Sequence, residues 1–280
     1  MAASESRPRI TMQDVDGVLL RTAFWAAKVD EGKRPLLFFN GIGANLELTH
    51  ALGDMFPDRD IITFDVPGVG KSPVTQWPYR PWMLARWARR LLDQFGIDEV
   101  DVMGVSWGGA LAQQFAFQYR NRVGKLILCA TTAGMTMVPG KPKSLSKMVD
   151  ARRYTDANYM RDNFATLYGD EADAQAGEHI TRLMPPDPKG YVFQLLAFIG
   201  WSSLPFIRVL RMPALIMMGD NDSIVPLANG HILKVALPNS RLHVVEGGGH
   251  LFLVTRAAET ADVIKGFLAE EDVPETLVAA

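Results

Sequence analysis

Ser106, Asp222 and His250 have the side-chain types and the local settings that acyl transfer needs. Ser106 lies in Gly104-Val105-Ser106-Trp107-Gly108, separated from a glycine on each side by one residue. The run from Val100 to Val105 reads as a buried strand and the run from Trp107 to Tyr119 as a helix. Glycines at that spacing let strand and helix meet in a sharp turn that presents the serine hydroxyl at the end of a sheet. The first N–H groups of the following helix have no partner within it, so they are placed to bind a developing negative charge. His250 ends the loop Glu246-Gly247-Gly248-Gly249-His250, after a last strand. Asp222 stands in Gly219-Asp220-Asn221-Asp222, directly after an apolar strand and four residues before Pro226. In such a set the histidine takes the serine proton and returns it to the leaving group, while the carboxylate holds the ring and stabilises the imidazolium. Asp222 is the expected acid and Asp220 its rival; both also fit a turn of Asx type. Two backbone donors complete the expectation of an oxyanion hole: Trp107 N–H, and Ile42 N–H in the loop Asn40-Gly41-Ile42-Gly43.

The other four histidines lack this setting. His243 alternates within a strand, His50 and His231 fall in expected helices, and His179 lies in a helical segment, so each reads as a packing or surface residue. Gly70-Lys71-Ser72 resembles the end of a phosphate-binding loop, but position 65 is Asp where that motif needs glycine. Cys129, the single cysteine, sits in an apolar strand as a small hydrophobe, permits no intrachain disulfide and suits a reducing cytosol. No Cys/His cluster has zinc spacing, so neither a metal nor another cofactor is expected. A formal charge of −2 argues against nucleic acid as partner. No apolar run approaches the length of a membrane span, and the polar start lacks a signal peptide's apolar stretch. A cytoplasmic location is expected.

Elements that would hold these residues alternate along the chain, the sign of a mostly parallel α/β sheet with crossover helices. Strands are expected at Val18 to Trp25, Pro35 to Phe39, Ile61 to Phe64, Val100 to Val105, Val123 to Ala130, Ala214 to Met218 and Leu242 to Val245. Pro81 to Phe95 reads as a helix with proline in its first turn and Gly96 as its stop; Thr255 to Ala269 reads as a terminal helix. The alternation breaks between residues 133 and 210, a stretch rich in Met, Phe, Trp and Pro. It is expected to be a helical cap inserted between two parts of the core, 1–132 and 211–280. Most of its apolar residues should fill its own core. Met135, Phe198 and Trp201 are the candidates for lining a substrate tunnel, because flexible Met and flat aromatics suit a floppy apolar ligand.

With these residues placed, the chain resembles the α/β-hydrolase superfamily, whose triads follow the order seen in Ser106, Asp222 and His250. More narrowly, it is similar to the intracellular medium-chain-length polyhydroxyalkanoate depolymerases. The likeness rests on Phe39-Asn-Gly-Ile-Gly-Ala-Asn-Leu-Glu-Leu48, Phe64-Asp-Val-Pro-Gly-Val-Gly70, Gly104-Val-Ser-Trp-Gly-Gly-Ala-Leu-Ala-Gln-Gln-Phe115, Val138-Pro-Gly-Lys-Pro-Lys143 and Gly249-His-Leu-Phe-Leu253. Lys71 departs from the pattern, where a small residue is expected. The resemblance implies hydrolysis of stored polyesters of 3-hydroxy acids at granule surfaces, through an acyl-enzyme on Ser106. From the residues alone two other readings stay open. One is an esterase, lactonase or carbon–carbon bond hydrolase for small soluble substrates; the other is a non-catalytic receptor on the same fold.

Overall fold

The computed structural model describes residues 7–148, 150, 152, 156–168 and 174–271. Eight strands form one sheet: β1 (Arg9–Val15), β2 (Val18–Trp25), β3 (Leu36–Phe39), β4 (Ile61–Phe64), β5 (Val100–Val105), β6 (Val123–Cys129), β7 (Ala214–Gly219) and β8 (Ser240–Val245). Their spatial order is β1-β2-β4-β3-β5-β6-β7-β8. β1 pairs antiparallel with β2 and β2 antiparallel with β4, and every other pairing is parallel. β3 and β4 are buried at every position, as apolar strands covered on both faces must be. The expected strands all form, with ends moved by a residue or two. β1 was not anticipated: it is an edge strand whose side chains are largely exposed or half-buried, so its polar residues hide the strand signal.

Helices cover both faces. α1 (Pro81–Gln94) turns Leu84, Trp87, Ala88 and Leu91 inward and leaves Arg86 and Arg90 outside, the stripe a surface helix requires. It packs with α2 (Trp107–Gln118) on one face, in a core that includes Leu111, Phe115 and Leu126. The opposite face is covered by the C-terminal α8 (Ala257–Ala269) and a short helical turn, Leu52–Met55, around Trp25, Phe38, Phe56 and Ile264. α7 (Ala228–Ala236) links β7 to β8.

Between β6 and β7 the chain leaves the sheet. This excursion carries α3 (Pro142–Met148), α4 (Ala157–Tyr168), α5 (Ala174–Arg182) and α6 (Pro188–Ala197). Its contacts put it over the loops at the carboxyl ends of the strands. Asp187 N–H donates to Gly68 O at 2.9 Å, and Arg80 donates to the carbonyls of Leu196 and Ile199 at 3.0 and 2.8 Å. α6 rests so closely on the Pro67–Gly70 turn that a Cβ on Gly68 would lie 2.4 Å from Cα of Gly190. No described helix is long and apolar enough to cross a membrane.

Candidate active site

Register brings the candidate loops to one edge. Phe39 is the partner of Gly104 in the β3–β5 pair, and Gly219 is the partner of Val245 in the β7–β8 pair. The loops that follow hold Asn40–Gly43, Ser106, Asp222 and His250. In parallel sheets that carboxyl edge is where ligands bind. Ser106 takes φ of 54° between β5 and α2, a conformation that costs a non-glycine residue about 1–3 kcal/mol. The surroundings hold it there. Ser106 N–H donates to Cys129 O at 2.8 Å, while its own carbonyl accepts from Thr131 Oγ1 at 2.7 Å and from Gly109 N–H at 2.9 Å. Both flanking glycines are required by space: a Cβ on Gly104 would sit 2.3 Å from Gly108 O, and one on Gly108 would sit 2.2 Å from Phe39 O.

A hydrogen-bonded line joins three of the residues singled out above. His250 Nε2 lies 3.0 Å from Ser106 Oγ, and His250 Nδ1 lies 2.7 Å from Asp222 Oδ2. A carboxylate there accepts from Nδ1–H, which leaves Nε2 as the acceptor facing the serine hydroxyl. The second oxygen of Asp222 accepts from the N–H groups of Ile224 and Val225, each at 2.8 Å. Asp222 and His250 are both buried. Asp220 instead accepts from Gly247 N–H at 2.7 Å and faces solvent, so of the two rivals it is Asp222 that bonds to His250. Tyr168 backs the histidine: its carbonyl accepts from His250 N–H at 2.5 Å, and its ring lies parallel to the imidazole with centroids 6.5 Å apart.

The loop after β3 is held by side chains that local sequence patterns did not reveal. Gln194, a buried amide on α6, accepts from Gly43 N–H through Oε1 at 2.9 Å; its carbonyl accepts from Trp107 Nε1 at 3.0 Å. One residue thereby touches both expected sources of oxyanion donors. The signal was a lone amide in the apolar run Phe193-Gln194-Leu195-Leu196. Asn45, also buried, donates to Arg182 O at 3.1 Å and accepts from Met184 N–H at 2.9 Å, which ties the same loop to the excursion. Its neighbour Glu47 pairs with Arg21 at 2.7 Å, and Asp65 accepts from Leu46 N–H at 2.8 Å. The Val138–Lys143 motif also has a structural role. Lys141 N–H donates to Ser223 O at 2.8 Å, and Asn229 bonds both backbone groups of Val138. The start of the excursion is thus docked on the loop that carries Asp222.

The three tunnel candidates go to different places. Phe198 sets its ring edge-on to Trp107 at 4.9 Å, beside the elbow. Trp201 is buried, with its indole N–H on Gln114 Oε1 at 2.6 Å, and so acts as packing. Met135 is 62% exposed, carried outward where Gly134 bridges to Ser202. A cavity of about 300 Å³ opens instead beside His250, between the Leu46–Met55 region, α5 and the residues after His250. His50 and His179, read from sequence as packing or surface groups, line it. Among the described residues no group of three or more His, Cys, Asp or Glu side chains gathers to hold a metal ion.

Comparison with known proteins agrees with this architecture. The family model for the alpha/beta hydrolase fold matches residues 34–257, and the chain belongs to that family. Within it the chain is 43% identical over 265 residues to a poly(3-hydroxyalkanoate) depolymerase of Ectopseudomonas oleovorans, an alignment covering 92% of both chains. It is 31% identical to a 2-hydroxymuconate semialdehyde hydrolase of Pseudomonas putida, over 76% of this chain and 78% of that one. Among solved structures, an esterase from Exiguobacterium antarcticum superposes with a TM-score of 0.79 at 19% identity, covering 92% of this chain and 98% of the other. That last likeness speaks for the fold alone.

Proposed function

We propose that this chain is a serine ester hydrolase that cleaves poly(3-hydroxyalkanoate) with medium-length side chains and releases 3-hydroxy acids. The observation that carries the reading is the line from Ser106 through His250 to the buried Asp222. Ser106 Oγ attacks the ester carbonyl carbon while its proton passes to His250 Nε2. The oxyanion that forms faces the N–H groups of Trp107 and Ile42; losing one such donor costs about 2.7–4 kcal/mol of transition-state stabilisation in comparable sites. Collapse expels the alcohol of the next unit, protonated by His250, and leaves Ser106 acylated. Water that gives its proton to His250 then attacks the acyl carbon and frees the acid.

The polyester as substrate is supported by the depolymerase that is 43% identical to this chain over 265 residues. A second support is the outward face of α6 and the turn after it. Val192, Leu195, Leu196 and Ile199 are exposed there at helical spacing, an apolar stripe suited to an insoluble surface. The excursion, residues 133–210, acts as a cap over the site, and the protein works on polymer granules in the cytoplasm.

The test is hydrolysis of emulsified poly(3-hydroxyoctanoate), poly(3-hydroxybutyrate) and p-nitrophenyl octanoate, with Ser106→Ala as blank. Clearing of the octanoate polymer by the wild type alone supports the reading. Turnover of the soluble ester without clearing makes the protein a general esterase. The semialdehyde hydrolase relative gives the remaining alternative, and cleavage of 2-hydroxymuconate semialdehyde with no ester turnover would favour it.

A further inference from the structure

The cavity beside His250 has a floor set by strand geometry. Side chains two residues apart on a strand share a face and lie about 6.6 Å apart along it. Asn40 and Phe38 form such a pair at the end of β3, and Val105 and Met103 form one on β5; all four line the cavity. Phe38 and Met103 are direct neighbours across the two strands. The cavity therefore starts level with the residues that flank Ser106 and runs down the sheet by a full pleat repeat. Its walls there are apolar, with Leu52 and Met103 buried. Charge is confined to the α5 side, where Arg182 pairs with Glu178 at 2.6 Å and His50 lies 3.6 Å from the same carboxylate. Those groups are a third or more exposed, so they mark the side toward solvent. What fits is an uncharged, flexible chain that leaves the triad and descends along the sheet.

An acyl group on Ser106 has such a chain. In a 3-hydroxyalkanoate unit the alkyl side group continues the carbon chain beyond the ester-bearing carbon. We propose that this cavity receives that alkyl group, and that Ala51 and Met55 gauge its length. Both line the cavity, and they stand one helical turn apart: Met55 N–H donates to Ala51 O at 2.9 Å. At that spacing they project side by side. Each is half-buried, so exchanging it changes the cavity while disturbing the core less than a change at Met103. The proposal rests on the serine-hydrolase reading above and adds where the side chain goes.

The experiment is kcat/KM for p-nitrophenyl esters from butyrate to dodecanoate. For the wild type, each methylene that enters the cavity raises kcat/KM by about fourfold, until the cavity is full. Ala51→Phe, which takes up cavity space, is expected to lower the octanoate-to-butyrate ratio at least tenfold. Met55→Ala, which enlarges it, is expected to move the optimum to a longer chain. An unchanged ratio in Ala51→Phe together with an unmoved optimum in Met55→Ala overturns the assignment and sends the chain toward Phe198 instead. The underlying reading is checked separately by butyrate turnover in the wild type that Ser106→Ala abolishes. Its absence overturns both, whereas its presence with an unmoved profile overturns only the cavity.

Discussion

Gln194 lies off the line from Ser106 to Asp222, yet it holds the loop expected to supply one oxyanion donor. Gly43 is buried, and its N–H has Gln194 Oε1 as acceptor. Truncating the amide leaves that donor without a partner, at a cost of about 1–3 kcal/mol, and the loop that carries Ile42 N–H is expected to shift to recover one. Gln194→Ala should therefore lower kcat about tenfold or more on a soluble ester while KM changes little. Gln194→Glu, which keeps an acceptor at the same place, should recover part of the loss. Equal loss in both variants, or a loss confined to KM, would show that Gln194 only fills space. This residue was not legible in the sequence because its partner is 151 positions away and no local pattern links them. Ser106, Asp222 and His250 were legible for the opposite reason. Each function imposes a short-range requirement — glycines around the serine, an acid just past a strand, a histidine after a glycine run — that survives without knowledge of contacts.

At the scale of elements, legibility followed burial on two sides. β3 and β4 are short runs buried at every position, with Thr63 their one polar residue, and β5 is interrupted only by the buried Asp101; all three formed where expected. α6 is different. Phe193 and Ala197 face inward, yet Val192, Leu195, Leu196 and Ile199 face outward. A helix apolar on both sides has no stripe to read, so the stretch from 133 to 210 could be recognised as helical but not divided. The same property has a functional consequence. A double replacement on the outer face, Leu195→Ser with Ile199→Ser, removes apolar area that touches neither the triad nor the cavity. Clearing of emulsified polymer is expected to fall several-fold, while hydrolysis of p-nitrophenyl octanoate stays within about twofold, since scattered surface changes rarely disturb folding. Parallel losses on both substrates would mean that the face supports the site from within and does not meet the polymer. Trp201 is unsuited to such a test, because its buried indole bond to Gln114 makes any polar replacement a folding mutation.

For the molecule as a whole, one charged cluster is among the links between the sheet and the excursion after β6. Arg21 on β2 bridges Glu47 and Asp65; Asp65 holds Leu46 N–H, and Asn45 binds both Glu47 and the end of α5. The two carboxyls respond to pH in opposite senses. For Glu47, burial works to raise the value, but hydrogen bonds from Arg21 and Asn45 override it and bring the carboxyl from 4.5 to about 2. Its contribution to stability is fully present above about pH 4.5 and is lost as pH falls through about 2. For Asp65, burial outweighs the hydrogen bonds from Lys71, Leu46 and Arg21 and pushes the carboxyl from 3.8 up to about 6. The neutral form is the favoured one there, so that contribution is present below about 3.8 and is lost as pH rises through about 6. Glu47→Gln removes the first effect and leaves the second. In urea unfolding at a series of pH values, the variant should be less stable than the wild type at pH 5. The gap should narrow as pH falls from 4.5 toward 2, while the decline between pH 4 and 6 persists in both proteins. A gap that stays constant across the acid range would mean that Glu47 contributes through shape and not through its charge. In that case the link from β2 through the loop after β3 to α5 would have to be carried by Asn45 and Asp65.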